Sequence, residues 1–177
     1  MKRVFTLCLI SFFAASTMAQ VAAVMLPTFM KMKREAGMDV SQETEYVDLG
    51  LPSGTLWKNV NEGGDYAHYT HDEAVSRFGN NLPSKQQFEE LKNKCRWTWI
   101  GNGYKVTGPN ENFITFPAAG STFYGDEEVY GVGVRGMYFS STPIDVDYIW
   151  HFYFTPSEIN ISEIPCRMDY QSVRLVK

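Results

Sequence analysis

The sequence has little positive charge and few cysteines, and it lacks common phosphate-binding and nucleophile motifs. Its 16 Lys and Arg residues are outnumbered by 20 Asp and Glu residues, which gives a formal net charge of −4. Nucleic-acid binding needs clustered Lys and Arg to neutralise phosphates, so no nucleic-acid partner is predicted. No glycine-rich loop precedes a helical pattern, and no Ser nucleophile motif occurs. The length of 177 residues excludes a large multidomain protein.

Apolar and aromatic residues, by contrast, are plentiful. Hydrophobic residues make up 44% of the chain and aromatic residues 15%, whereas Gly and Pro contribute only 14 and 8 residues. This composition argues against a low-complexity disordered chain. A packed globular domain is therefore expected, although the composition indicates no reaction.

Residues 1–19 have the features of a secretory signal peptide. Lys2 and Arg3 precede an apolar run, and small residues lead up to a cleavage site after Ala19. We predict an exported protein, in the periplasm, on the outer cell surface or secreted, with no transmembrane span after cleavage. The alternative is an uncleaved anchor, because a second apolar run at 21–30 is followed by basic residues.

Two cysteines remain once the signal peptide, which contains Cys8, is removed. Cys95 and Cys166 would then meet an oxidising compartment, where they allow one intramolecular disulfide. On the chain-entropy model, such a bridge would stabilise the fold by about 4 kcal/mol. The alternative is that both are buried free thiols.

Local patterns predict two short helices after a linker or lead-in segment at 20–44. Thr70 followed by Glu73 has the spacing of a capping box, and Gly79 is placed to end that helix. Ser84 followed by Gln87 has the same capping-box spacing and predicts a second helix that runs to about Asn93.

Runs of β-branched and aromatic residues, separated by turn residues, predict strands on both sides of the helices. The order is strands, two helices and then many strands, which predicts an α+β fold. The predicted strands lie at 46–49, 55–57, 112–116, 138–139, 148–154 and 172–176.

Seven ordered blocks within 45–177 carry a family resemblance. They begin at Tyr46, Leu82, Cys95, Gly103, Phe116, Gly136 and Ser172. Together they resemble the Fibrobacter succinogenes major paralogous domain, a group of exported bacterial proteins similar to the C-type-lectin-like fold. The resemblance implies a lectin-like domain at 45–177 with two short helices, a mixed but mainly antiparallel, turn-rich sheet and a loop-rich ligand face. Phe139 departs from it, standing where the family commonly has Trp, and 120–136 match poorly.

The related fold suggests three specific chemistries, each tested against particular residues. Calcium-bridged sugar binding uses a Pro flanked by side-chain oxygens, but the nearest triplet here is Gly108-Pro109-Asn110, and Gly108 has none. Oxidation of the formylglycine-generating kind needs two neighbouring cysteines, and Cys166 has no such neighbour.

A metal hydrolase would be built on His68 and His71. A catalytic zinc needs a third protein ligand, and His151 is the one further histidine, inside an aromatic strand. We therefore predict no catalytic residue, no metal and no cofactor, and keep an enzyme on the formylglycine-generating-like fold or a metal-dependent hydrolase as the disfavoured alternatives.

Surface aromatic residues near the C-terminus remain as candidates for recognition. In the strand at 148–154, alternation places Tyr148, Trp150, Phe152 and Phe154 on one face and Ile149, His151 and Tyr153 on the other. We assign the wholly aromatic face to the core, which leaves His151 and Tyr153 exposed. Together with Tyr170 they are the predicted ligand-binding residues.

The sequence thus predicts an exported, non-enzymatic recognition or surface-structural domain. Its partner would be a glycan or protein ligand at the cell surface, bound through a loop and aromatic face. A self-assembling structural subunit, joined through the 20–44 segment or an exposed strand edge, is the remaining alternative.

Overall fold

A computed structural model describes residues 46–123, 125–126, 128–165 and 169–177. The predicted signal peptide at 1–19 and the lead-in segment at 20–44 lie outside these residues. Within the described part of the chain, no helix has both the length and the apolar character needed to span a membrane.

Both predicted helices are present, and both begin at the predicted capping boxes. Helix α1 spans His71–Phe78 and helix α2 spans Lys85–Lys94. Thr70 Oγ1 accepts a hydrogen bond from the Glu73 N–H, and Ser84 Oγ accepts one from the Gln87 N–H. Gly79 ends α1 with a positive φ of 48°, as predicted, and a short 3₁₀ turn at Gly79–Asn81 follows.

In the part of the chain that the structure describes, ten strands form four small antiparallel sheets, ordered β1-β2, β3-β4-β5, β7-β8-β9 and β6-β10. Among the described residues, parallel pairing occurs as two isolated bridges, Gly120 with Gly136 and Tyr138 with Ser172. The α+β class is therefore confirmed. The strands are β1 Tyr46–Asp48, β2 Leu56–Lys58, β3 Arg96–Trp99, β4 Gly103–Thr107, β5 Phe113–Pro117, β6 Thr122–Phe123, β7 Gly136–Pro143, β8 Tyr148–Thr155, β9 Glu158–Pro165 and β10 Asp169–Tyr170.

The C-terminal segment differs from the prediction. Instead of joining one sheet, residues 171–176 make single bridges to three separate elements: Gln171 to Tyr69, Ser172 to Tyr138 and Val176 to Trp57. Strand β9, which was not predicted, lies at an edge of the β7-β8-β9 sheet. A segment that bridges three elements has no continuous partner, so it forms no regular strand.

The main core is a cluster of aromatic rings between α2 and the sheets. The Phe88 ring of α2 stacks on Phe152 of β8 with centroids 4.8 Å apart, and Trp57 packs against Phe88 at 5.4 Å. All three residues are completely buried. Full burial of one such side chain stabilises a fold by about 1.5–3 kcal/mol, so this cluster fixes α2 on the sheet.

Both faces of the β7-β8-β9 sheet are buried, and the prediction of one exposed face is wrong. Ile149 lies on the second face with only 1% exposure, in a cluster with Ala74 of α1 and Val173. The prediction failed because α1 and the C-terminal segment cover this face, and neither contact can be seen in the alternation of β8. Tyr148, which was assigned to the core, is 43% exposed.

Candidate functional site

The predicted ligand residue His151 is a buried core residue. It is 5% exposed, so the prediction that it faces solvent is wrong. Its Nε2 lies 2.8 Å from Ser162 Oγ, and its Nδ1 lies 3.4 Å from Gln171 Oε1. Each ring nitrogen therefore has a polar partner, and the tautomer of the ring sets which of the two donates. Burial lowers the pKa of His151 to about 4, so the ring is neutral at pH 7.

The other two predicted ligand residues are half-buried and lie in different sheets. Tyr153 is on β8, where its ring stacks beside His151 with centroids 6.4 Å apart. Tyr170 is on β10 and pairs with Thr122 of β6. The structure therefore brings His151 and Tyr153 together, inside a packed layer, and places Tyr170 elsewhere.

Of the predicted disulfide pair, Cys95 is described and Cys166 lies outside the described residues. Cys95 caps the C-terminus of α2, is half-buried and is a free thiol among the described residues. Burial, with a smaller effect of the Glu90 charge, raises the pKa of the Cys95 thiol to about 11. A thiol with this pKa is a poor nucleophile at neutral pH. The pairing itself stays a prediction.

The two histidines considered for a metal site sit where the capping box predicts. His71 is the first residue of α1, and His68 precedes the cap. Burial lowers the pKa of both rings, and the His71 ring packs against Phe139 with centroids 5.5 Å apart. In the parts of the chain that the structure describes, no three His, Cys, Asp or Glu residues are grouped to hold a metal ion.

The turn that contains Pro109 is a structural tie to β1. Asn110 Nδ2 and Asn112 Nδ2 donate to the carbonyl of Asp48 at 3.0 and 2.8 Å. Asn110 Oδ1 in turn accepts from the Asn112 N–H at 3.1 Å. Both ends of the Asn110 amide are thus used within the protein.

A groove opens beside this turn, between the turn and the β1-β2 pair. Its volume is about 490 Å³, inside the range of about 300–1,000 Å³ found for small-ligand sites. We name it the Phe113 groove because the Phe113 side chain is 52% exposed there. The groove is lined by Tyr46, Val47, Asp48, Leu56, Glu111, Asn112 and Phe113.

The alternation of β5 explains why a phenylalanine is exposed in this groove. Ile114 and Phe116 are buried in the main core, and successive side chains of a strand point to opposite faces. Phe113 must therefore point outward, where Lys105 Nζ lies 3.9 Å from the centroid of its ring. On the opposite wall, Lys177 Nζ lies 4.0 Å from the centroid of the Tyr46 ring. Each ring is oriented by a cation over one of its faces.

Glu111 carries backbone strain at the lip of the groove. Among the described residues it is the one non-glycine residue with a positive φ, 68°. A side chain in this left-handed region costs about 1–2 kcal/mol relative to the right-handed one. The Arg96 guanidinium holds the Glu111 carboxylate at 3.1 Å. The tight turn between β4 and β5 requires this conformation, since the Glu111 N–H donates to the Gly108 carbonyl at 3.0 Å and the Gly108 N–H to the Asn112 carbonyl at 2.8 Å.

Arg174 joins β2 to β5. One terminal nitrogen donates to the carbonyl of Lys58 at 2.8 Å and the other to that of Thr115 at 2.6 Å. The guanidinium is fully buried and lies 4.6 Å from the centroid of the Phe116 ring. We call this arrangement the Arg174 clamp. Burial lowers the pKa of Arg174, opposed by nearby Tyr138.

Sequence reasoning missed the Phe113 groove for an identifiable reason. Tyr46 was considered only as part of a block that carries the resemblance, and Phe113 was assigned to a strand without regard to which face it occupies. The signal that could have found the groove is the alternation of β5, since two buried residues at 114 and 116 require an outward Phe113. That the β1-β2 pair forms the opposite wall is a tertiary contact, which alternation does not reveal.

Comparison with known proteins identified no relative of this chain. A scan against protein-family models and searches of curated proteins and of solved structures found no match to this chain.

Proposed function

We propose that this protein is an exported, non-enzymatic recognition domain that binds a glycan at the cell surface through the Phe113 groove. The fold would be the lectin-like one that the sequence blocks resemble, and export would follow from the signal peptide at 1–19. The periplasm, the outer surface and the medium remain the compartments in which it would act.

The observation that carries this proposal is the composition of the groove wall. An exposed Phe113 ring lies beside the oxygen-bearing side chains of Asp48, Glu111 and Asn112. Aromatic rings stack on the apolar faces of sugars, while carboxylates and amides bond their hydroxyls. The two Asn110 and Asn112 bonds to Asp48 hold the walls in place before a ligand arrives, which lowers the entropy cost of binding.

A protein ligand is the second outcome that the sequence leaves open. An extended peptide would bind by pairing with the main chain of a strand edge. A glycan array probed with the full chain, followed by a peptide library under the same conditions, separates the two outcomes.

Replacing Phe113 with alanine tests the role of the exposed ring. We expect affinity for the glycans bound by the natural protein to fall about tenfold, because loss of one stacking contact costs roughly 1 kcal/mol or slightly more. Isothermal titration with a glycan bound on the array measures the change.

Tyr148→Ala is the matched control, since Tyr148 is 43% exposed but lies at the start of β8, away from the groove lining. It should leave affinity unchanged. Equal losses in both variants, or no loss in Phe113→Ala at an unchanged melting temperature, would contradict the assignment of the groove.

A further inference from the structure

A second, smaller opening lies at the other end of β5. This opening, which we name the Tyr66 cleft, has a volume of about 160 Å³. Tyr66 is 58% exposed and Ile100 is 51% exposed at its rim. The side chains that line it and bear on the argument are Asp65, Tyr66, Ile100, Asn102, Thr115 and Pro117.

Residues of β5 and the turn before it line the Phe113 groove at one end of the strand and the Tyr66 cleft at the other. Glu111, Asn112 and Phe113 line the groove on one side of Thr115, whose carbonyl the clamp holds. Thr115, Phe116 and Pro117 line the cleft on the other side. The two openings are therefore consecutive along a single strand.

The outer face of β5 connects the two openings. Ile114 and Phe116 are buried, so Phe113, Thr115 and Pro117 share the outward face. At about 3.3 Å per residue, Phe113 and Pro117 are separated by about 13 Å. A single sugar ring cannot touch both ends of this face, whereas a chain of several sugars can.

The charges around the two openings balance. Asp48 and Glu111 line the groove and Asp65 lines the cleft. Lys105 and Lys177 each lie over a ring of the groove, and Arg96 pairs with Glu111. Three acidic side chains are thus matched by three basic ones, so the site has no net charge with which to attract a carboxylated or sulfated ligand. A hydroxyl-rich neutral chain needs none.

We infer that the protein binds a neutral oligosaccharide of several units, laid along β5 so that it contacts Phe113 at one end and Tyr66 at the other. This inference rests on the proposed function, because it extends the same groove into a longer site. Tyr66 is then a specificity-determining residue that selects for ligand length.

The test is a printed array that carries neutral and carboxylated oligosaccharides, each as a series from one sugar to six. The full chain is compared with Tyr66→Ala, Phe113→Ala and the control Tyr148→Ala. Because Tyr66, Phe113 and Tyr148 are all exposed, the three variants are expected to fold, and circular dichroism checks this.

We expect affinity for neutral glycans to rise with length and to level off at several units. Tyr66→Ala should lose about tenfold toward the longest neutral glycans and nothing toward the shortest, while the carboxylated series bind no more tightly than the neutral ones. Affinity independent of length, an unchanged Tyr66→Ala, or preference for carboxylated chains would overturn the inference while leaving the proposed function standing. No glycan binding at all would overturn both.

Discussion

Replacing Arg174 with methionine should lower the free energy of unfolding by about 3 kcal/mol. The substitution removes the two hydrogen bonds that the buried guanidinium donates to the carbonyls of Lys58 and Thr115, and a hydrogen bond to a charged group is worth about 1.5–3 kcal/mol. Methionine fills most of the vacated volume, so the loss reports the two hydrogen bonds rather than a large cavity. Urea unfolding monitored by tryptophan fluorescence measures the change.

Two further variants make this result specific to the clamp. Arg174→Lys keeps the charge but lacks the planar fork that reaches two carbonyls at once, and it should be nearly as unstable. Arg77→Met removes an arginine that is 57% exposed and pairs with Glu73 at 3.6 Å, so it should change stability by less than about 0.5 kcal/mol. A loss below about 1 kcal/mol in Arg174→Met would show that the clamp does not join β2 to β5.

Acid should destabilise the protein through His151. Its pKa falls from 6.5 to about 4 on folding, because burial disfavours the cation. The stability this provides is complete above pH 6.5 and is lost as pH falls from 6.5 toward 4. A shift of this size corresponds to about 3 kcal/mol, most of it lost by pH 4.5.

Comparison with His151→Gln isolates this contribution. Burial lowers the pKa of His68 and His71 as well, so they act in the same direction, whereas burial raises the pKa of Asp169, which acts in the opposite one. The variant removes only the His151 titration. Its stability difference between pH 7.5 and pH 4.5 should be smaller than that of the natural protein by about 2–3 kcal/mol. Parallel pH profiles for the two proteins would contradict the buried, neutral state of His151.

Local signals predicted the helices correctly because their causes are local. The capping boxes at Thr70 and Ser84 involve atoms three residues apart, so residue identity and spacing determine them. The end of α1 at Gly79 likewise depends on the conformation of a single glycine.

Which faces of a strand are buried depends on residues that are distant in the sequence, so the sequence alone did not predict it. His151 and Phe152 are neighbours in β8, and both are buried because different elements cover the two sides of the sheet. The alternation of β8 shows that the two residues point in opposite directions, but it does not show that both directions are covered. In β5 the same alternation would have identified Phe113 as exposed, because only its inner face is buried in the core.

The central claim, that the Phe113 groove is the glycan site, is tested most directly by mapping the bound ligand. The full chain is isotope-labelled and titrated, by NMR, with the neutral oligosaccharides of the array. The account predicts that the largest amide shift changes fall on 46–48 and 111–113, the two walls of the groove. Changes confined to the exposed hairpin at 144–148, or to the loop that contains Val132 and Val134, would contradict it.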